Sequence, residues 1–426
     1  MKNGCFIFKN MNIGYACLAL GVLHTDYHTC RINNANKENL ITLIKYNLTS
    51  FENIIDYNIK NDLHLFRISS DLIPFGSNSV NSLLWWDLFK DDFNRIGEKI
   101  RNHNIRVSCH PGQYTVINSP SQEVVNRAFD DLIYHERILS SLGTASSSKI
   151  VLHIGGIYGN KEEAKKRFVQ NFLLLPQSVK QRLIIENDDK SYNIEDVLEI
   201  SEQINIPVVF DNLHHFLNPP KKYLTDQEWI NLCKYTWKSQ DGNQKIHYSE
   251  QDPIKKAGSH SFIINPDTFI AWFKELKRDD LDVMLEVKDK NISAIKITHC
   301  LNDHLKMRDL EKSWEKYKYK VLEMSPKLYL QIRQLLKDKQ NPLPLNFYRL
   351  VDFAINQEPK RGHEENAIMH IWGYFKHREH EKIVFQKRLE RFREGSLSLN
   401  AFKNYLFNLA LEENIDYLLQ SYFFAF

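Results

Sequence analysis

No C-x-x-C pair occurs among the six cysteines, Cys5, Cys17, Cys30, Cys109, Cys233 and Cys300. That excludes a zinc knuckle or a dense disulfide framework, and scattered thiols of this kind suit a reducing, cytoplasmic compartment. No run approaches the roughly 20 apolar residues of a membrane span. Met11–Leu23 is apolar enough to pass for a signal segment, but Asn12, Gly14 and Tyr15 interrupt it and no small-residue cleavage site follows. It reads instead as the start of the folded chain, with the first ten residues a loose extension. There is no P-loop and no G-x-G-x-x-G fingerprint, so no nucleotide cofactor is expected. Charge of one sign is scarce as well: the net charge is +3, too little to hold nucleic acid by bulk basicity. Bound metal ions would add positive charge that the sequence does not count.

What is present is alternation. Short β-branched or aromatic runs occur at Asn12–Ala19, His64–Ser70, Ile105–His110, Lys149–His153, Arg182–Glu186, Pro207–Asp211, Gln244–Tyr248 and Asp282–Val287. Between them lie helical patterns, such as Leu40, Ile44, Leu48, Phe51 and Ile55 on one apolar face. Eight such alternations predict a TIM-type (β/α)₈ barrel over residues 1–300, with an open doubly wound sheet as the alternative that periodicity cannot exclude. From Leu301 the alternation stops, and residues 301–426 read as a helical domain punctuated at Asn341–Leu345, where the small positive excess also falls.

The barrel is favoured by where reactive side chains fall. His110, His153, Glu186, Asp211, His214, His247, His260 and Glu286 sit at strand ends or in the loops that follow. Barrel active sites gather at that end of the strands. Any one of these residues alone is as well read as a hydrogen-bonding or capping residue, but the set of eight predicts a metal site. Imidazole mixed with carboxylate suits first-row divalent ions, and eight ligands exceed the needs of one, so two or three ions such as Mn²⁺ are expected. Ions sharing bridging carboxylates suit phosphodiester hydrolysis. Lys245 lies two residues before His247 and points to the same side of its strand. An ammonium facing metal ions is disfavoured, so Lys245 must be neutral, reach a phosphate, be carbamylated into an anion, or twist away to solvent. His110-Pro-Gly-Gln113-Tyr114 follows the third run, and Gln113 and Tyr114 are placed to meet a base, as is Tyr15 after the first.

At these residues the sequence resembles the UV damage endonuclease family. The resemblance is carried by IGYACL (Ile13–Leu18), FRISSDLIPFGS (Phe66–Ser77), SCHPGQYTVINSP (Ser108–Pro120), VLHIGG (Val151–Gly156) and LIIENDD (Leu183–Asp189). It continues in VVFDNLHH (Val208–His215), KIHYSEQ (Lys245–Gln251), KAGSHS (Lys256–Ser261) and MLEVKDK (Met284–Lys290). It implies a TIM barrel with divalent ions, often manganese. It also implies an ATP-independent nick immediately 5′ to pyrimidine dimers and 6-4 photoproducts in double-stranded DNA, with abasic sites also handled. By motif it makes the eight residues above metal ligands and Lys245 a carboxylated lysine beside them. It makes Glu186, Lys245 and His247 the catalytic core, and Gln113, Tyr114 and Tyr15 the residues that probe the lesion. Two positions depart from the pattern: Ser77 and Asn78 stand where some members carry a further histidine ligand, and Ala19 stands where an asparagine can occur.

The tail, with His363–Lys382 and a helical ending near Tyr417–Tyr422, is similar to a helical domain of uncertain function attached to some relatives. Its aromatics and basic excess fit either a DNA clamp or a packing appendage, and His363, His370, His377 and His380 form a loose group. Two other barrel chemistries share a His/Glu/Asp cluster, abasic-site cleavage and sugar isomerisation. An isomerase needs a closed pocket and has no use for exposed Gln113 and Tyr114. A non-catalytic metal-dependent DNA-binding protein remains the alternative outside enzymes.

Overall fold

The computed structural model describes residues 11–426, so the expected loose extension over the first ten, and Cys5 with it, lie outside the described residues. Eight strands form: β1 (Asn12–Ala16), β2 (Leu65–Ile68), β3 (Arg106–Cys109), β4 (Ile150–His153), β5 (Leu183–Glu186), β6 (Val208–Asp211), β7 (Gln244–Tyr248) and β8 (Leu281–Leu285). They pair in parallel in chain order, and β1 pairs with β8 through Asn12↔Asp282, so the sheet closes on itself. Closure excludes the open doubly wound sheet.

Nearly every strand residue is buried, because one side of each strand looks into the barrel and the other meets a helix. Helices follow the strands at Lys37–Lys60, Lys90–Asn102, Gln122–Ser141, Lys161–Leu174, Ile194–Ile204, Asp226–Lys234, Pro266–Leu276 and Asn291–Leu301. The first is opened by Asn36, whose side chain accepts from the Asn39 amide at 2.9 Å, satisfying a donor that the helix itself leaves free. Its predicted stripe of Leu40, Ile44, Leu48, Phe51 and Ile55 is buried throughout. At the N-terminal end of the barrel, buried Asp282 accepts from Asn12 of β1 (2.8 Å) and Arg106 of β3 (2.7 Å), latching the closing seam.

Strand parity then positions the mouth. Val151, Ile184 and Val209 form one apolar cluster, and Ala16, Leu65 and Met284 another. Side chains two residues apart share a face. His153, Glu186 and Asp211 therefore project on the same side as the first cluster, one layer nearer the mouth, and Glu286 follows Met284 likewise.

Tyr15, expected as a DNA contact, is out of step with this set and turned away from the barrel interior. Ala16 belongs to the interior cluster, so Tyr15 faces the helices. It is 0% exposed, its hydroxyl donates to Asn58 at 2.7 Å, and its ring meets Phe66 edge-on with centroids 5.1 Å apart.

The chain divides into two compact units. One runs to Ala19 and takes in His24–Ile264 and Phe269–Thr298; the other comprises Leu20–Leu23, Asn265–Thr268 and His299–Phe426. The second unit is helical and packs around a core that includes Phe375, Phe385, Phe402, Leu406 and Phe423, with Trp372 stacked on Phe385 at 4.0 Å. Among the described residues no metal-type donor group includes its histidines; His363 meets the Met324 carbonyl (3.1 Å) and His377 meets Glu413 (3.1 Å). No helix among the described residues is long and apolar enough to cross a membrane.

The burial of Tyr15 predicts that Tyr15→Phe, which leaves the Asn58 side-chain oxygen without a donor, lowers the unfolding free energy by about 1–3 kcal/mol. Urea melts measure this. Unchanged stability together with altered DNA binding would restore a role in contacting substrate.

Candidate metal centre

Glu186 is the last residue of β5 and is fully buried. Its Oε1 lies 2.7 Å from His247 Nδ1 and 3.8 Å from His214 Nδ1; its Oε2 lies 3.0 Å from His110 Nε2 and 3.7 Å from His153 Nε2. One carboxylate thus stands among four imidazoles from four other strands or their following turns. It also links two donor groups, His110–Glu186–His247–Glu286 and His153–Glu186–His214, within each of which the ligand atoms lie within 4.8 Å of one another.

Asp211 ends β6 and caps the short helix Asn212–Leu217, its Oδ1 accepting from the His214 amide at 2.7 Å. That cap fixes His214, whose Nδ1 is 3.7 Å from the same carboxylate. His260 arrives from the loop after β7, held by an antiparallel bridge between Gln251 and His260, and places Nε2 3.8 Å from Glu286 Oε2. All eight predicted ligands therefore gather at one end of the barrel.

Orphaned atoms test whether this set fits a cation. His153 Nδ1, Asp211 Oδ2, His247 Nε2 and Lys245 Nζ are buried without a hydrogen-bond partner, and buried polar atoms are seldom left so. Three of the four belong to the predicted ligands. Mixed imidazole and carboxylate donors of this kind suit Mn²⁺ or Zn²⁺.

The electrostatics follow from burial. Desolvation would raise the Glu186 carboxyl, but His247, His153 and His110 outweigh it and hold it well below the ordinary range. Glu286 is likewise held low: burial opposes ionisation, and Arg67 with His247 overcomes it. Burial pushes His153 down to about 4. It also disfavours the charged form of His214, yet Asp211, Glu186 and Glu286 prevail and raise that ring to about 9. Lys245, fully buried on β7, is pushed well below the usual lysine range by desolvation, with Arg106 and Arg67 adding to the effect and Asp282 opposing it.

Gln113 and Tyr114 stand apart from this cluster. Both are exposed, Tyr114 at 72%, while Thr115 behind them anchors the loop by donating to buried Asp131 at 2.6 Å. Asn78, in the place of a further family ligand, uses its side-chain oxygen on the Val80 amide at 3.0 Å.

Two further contributors carry no motif signal in the sequence. Arg67, on β2 two residues after interior Leu65, forms an ion pair with Glu286; the strand's parity was the available signal. Asn187 exchanges hydrogen bonds with the Asp211 backbone (2.9 and 3.1 Å) and presents its carbonyl to His214 Nδ1 at 3.0 Å. It lay unremarked inside the LIIENDD stretch.

Residues 11–318 match the family described as UV-endonuclease UvdE, and residues 318–426 match a family described as a protein of unknown function. The chain is 41% identical over 346 residues to the UV DNA damage endonuclease of Clostridium perfringens, covering 80% of this chain and 82% of that one. It is 32% identical to the protein of the same name from Bacillus cereus strain G9842, covering 61% and 82%. The crystal structure of SacUVDE superposes with a TM-score of 0.64 at 38% identity, covering 68% of this chain and 96% of that one.

A histidine must be neutral to ligate a cation, and His214 holds its proton up to about 9. Uptake of a divalent cation near neutral pH is therefore expected to release protons, with affinity climbing as the pH rises toward that value. Titration calorimetry in buffers of different ionisation heat measures the release, and His214→Asn should lower it by about one proton per chain. The same release in the variant would remove His214 from the site.

Proposed function

The chain belongs to the UV-endonuclease family, and on that premise we propose that it is an ATP-independent, metal-dependent endonuclease of damaged double-stranded DNA. It nicks 5′ to pyrimidine dimers and 6-4 photoproducts and also acts at abasic sites. The observation that carries this reading is Glu186, a buried carboxylate shared between two donor groups. In this reading residues 1–300 form the catalytic barrel, residues 301–426 are a separate helical domain, and the enzyme works in the cytoplasm.

The residues divide the work. His110, His153, Glu186, Asp211, His214, His247, His260 and Glu286 would hold two or three Mn²⁺ ions. Ions held there would supply Lewis acidity toward a phosphodiester and counter its charge. Lys245, whose ammonium form is disfavoured by burial, would as the unprotonated amine add carbon dioxide. Its nitrogen lone pair bonds to carbon, one proton leaves, and an anionic carbamate results beside His247. Gln113 and Tyr114 lie in solvent beyond the ligands, where an unstacked base can reach them. That exposure also argues against a sugar isomerase, whose small substrate needs enclosure.

Nicking of a labelled duplex with one thymine dimer, with Mn²⁺ or EDTA and without ATP, tests the reading. One Mn²⁺-dependent cut 5′ to the lesion is expected. Cleavage at an abasic site alone would favour an abasic endonuclease, and no cleavage of either would reopen the isomerase and binding-protein readings. Loss of an outer partner of a metal ligand typically costs about 10–100-fold, so Glu186→Gln, at the shared ligand itself, should lower the rate by more than about 100-fold while leaving lesion binding measurable. Tyr114→Ala should instead reduce the preference for damaged over intact duplex.

A further inference from the structure

Two loops at the barrel mouth share one construction. After β3 the chain reads Gly112-Gln113-Tyr114, and after β4 it reads Gly156-Ile157-Tyr158. In each, the tyrosine ring folds back over the glycine two residues earlier. A Cβ at Gly112 would lie 2.5 Å from Tyr114 Cε1, and one at Gly156 would lie 3.0 Å from Tyr158 Cζ. In each, the middle residue and the tyrosine reach solvent, Ile157 at 44% and Tyr158 at 45% exposure. Each loop also follows a histidine of the donor groups, His110 or His153.

The second loop is held in an unfavourable shape. Tyr158 has φ +47°, between Gly155 at +112° and Gly159 at +80°. A bulky residue in the left-handed region persists where its surroundings over-determine it, and here they do. Asn118 donates to the Gly156 carbonyl at 2.8 Å, and the Tyr192 hydroxyl donates to the same oxygen at 3.0 Å. Arg167 donates to the Asn118 carbonyl at 2.9 Å and sets its guanidinium 5.6 Å from the Tyr158 ring centroid. Asn118 belongs to the loop that carries Gln113 and Tyr114, so one residue ties the two loops together. Strain, two hydrogen bonds to one carbonyl and a cation over the ring all serve to hold an isoleucine and a tyrosine in water.

We propose that Ile157 and Tyr158 are a second stacking pair for the same DNA, covering bases of the strand opposite the lesion while Gln113 and Tyr114 meet the damaged strand. This rests on the damage-endonuclease reading above. A dimer joins two neighbouring bases, so drawing it out of the helix uncovers two opposing bases. Every base has a π-face, and an aromatic or aliphatic side chain covers it without regard to sequence. Loops on adjacent strands, which lie about 5 Å apart, can serve the two sides of one opened step.

The test uses the full chain and a duplex with one thymine dimer opposite the fluorescent base 2-aminopurine, set against the same duplex undamaged. The wild type should change the 2-aminopurine emission on binding and prefer the damaged duplex. Ile157→Ser/Tyr158→Ser should give a different emission, because the base is no longer covered, and should lose about tenfold in affinity for the damaged duplex, with affinity for intact duplex unchanged. Each single substitution should give part of that loss, and Tyr158→Phe should keep wild-type behaviour because the ring, not the hydroxyl, does the stacking. A double variant with the wild-type emission and the wild-type affinity overturns this inference alone. A wild type with no preference for the damaged duplex overturns the reading beneath it as well.

Discussion

The mouth of the barrel depends on a carboxylate held where a carboxylate is costly. Glu186 is fully buried at the end of β5, and an unpaired charge there would cost several kcal/mol. It is tolerable because His110, His153, His214 and His247 approach both of its oxygens from other strands or the turns that follow them. His153 and His247 stand on β4 and β7, which could not shift by one residue without turning them away from Glu186. The register of those strands and the electrostatics of the centre are therefore one constraint. The apolar layer below it, with Val151, Ile184 and Val209 two residues before His153, Glu186 and Asp211, supplies the rigid base such a constraint needs.

Much of this was legible in the sequence because ligand position and strand end coincide. Most of the apolar runs end beside a histidine or carboxylate, and all eight strands lie within or beside their predicted runs. Closure was not legible, since the Asn12↔Asp282 pairing joins residues at opposite ends of the barrel sequence. Nor was the facing of Tyr15. The IGYACL motif carries no signal for which face of β1 looks inward; that is set by the packing of Ala16 against Leu65 and Met284. Arg67 was passed over for a related reason: an arginine inside a barrel is unexpected until Glu286 is seen opposite it.

The loops behave differently from the strands. Four of the predicted ligands, His153, Glu186, Asp211 and His247, stand on strands whose backbones are fixed by the sheet, whereas the exposed Gln113 and Tyr114 stand on a turn shaped by glycine. Gly112 could not be replaced without its Cβ meeting the Tyr114 ring. The His-Pro-Gly-Gln-Tyr stretch drew notice in the sequence because it follows a ligand and holds polar and aromatic residues together. Gly156-Ile157-Tyr158 did not, because an isoleucine in a loop looks like ordinary packing until its exposure is known.

Charge inside the barrel is arranged in levels. Arg106 with Asp282 closes the N-terminal end, and Arg67 with Glu286 lies at the mouth. Lys245 feels both arginines and has no hydrogen-bond partner of its own. A third cation between two guanidinium groups is the least favourable state for that side chain, and a neutral amine leaves its donors unsatisfied. The burial of Lys245 is thus set against the two arginines that hold the barrel's carboxylates, Arg67 on Glu286 and Arg106 on Asp282, and both belong to the barrel itself.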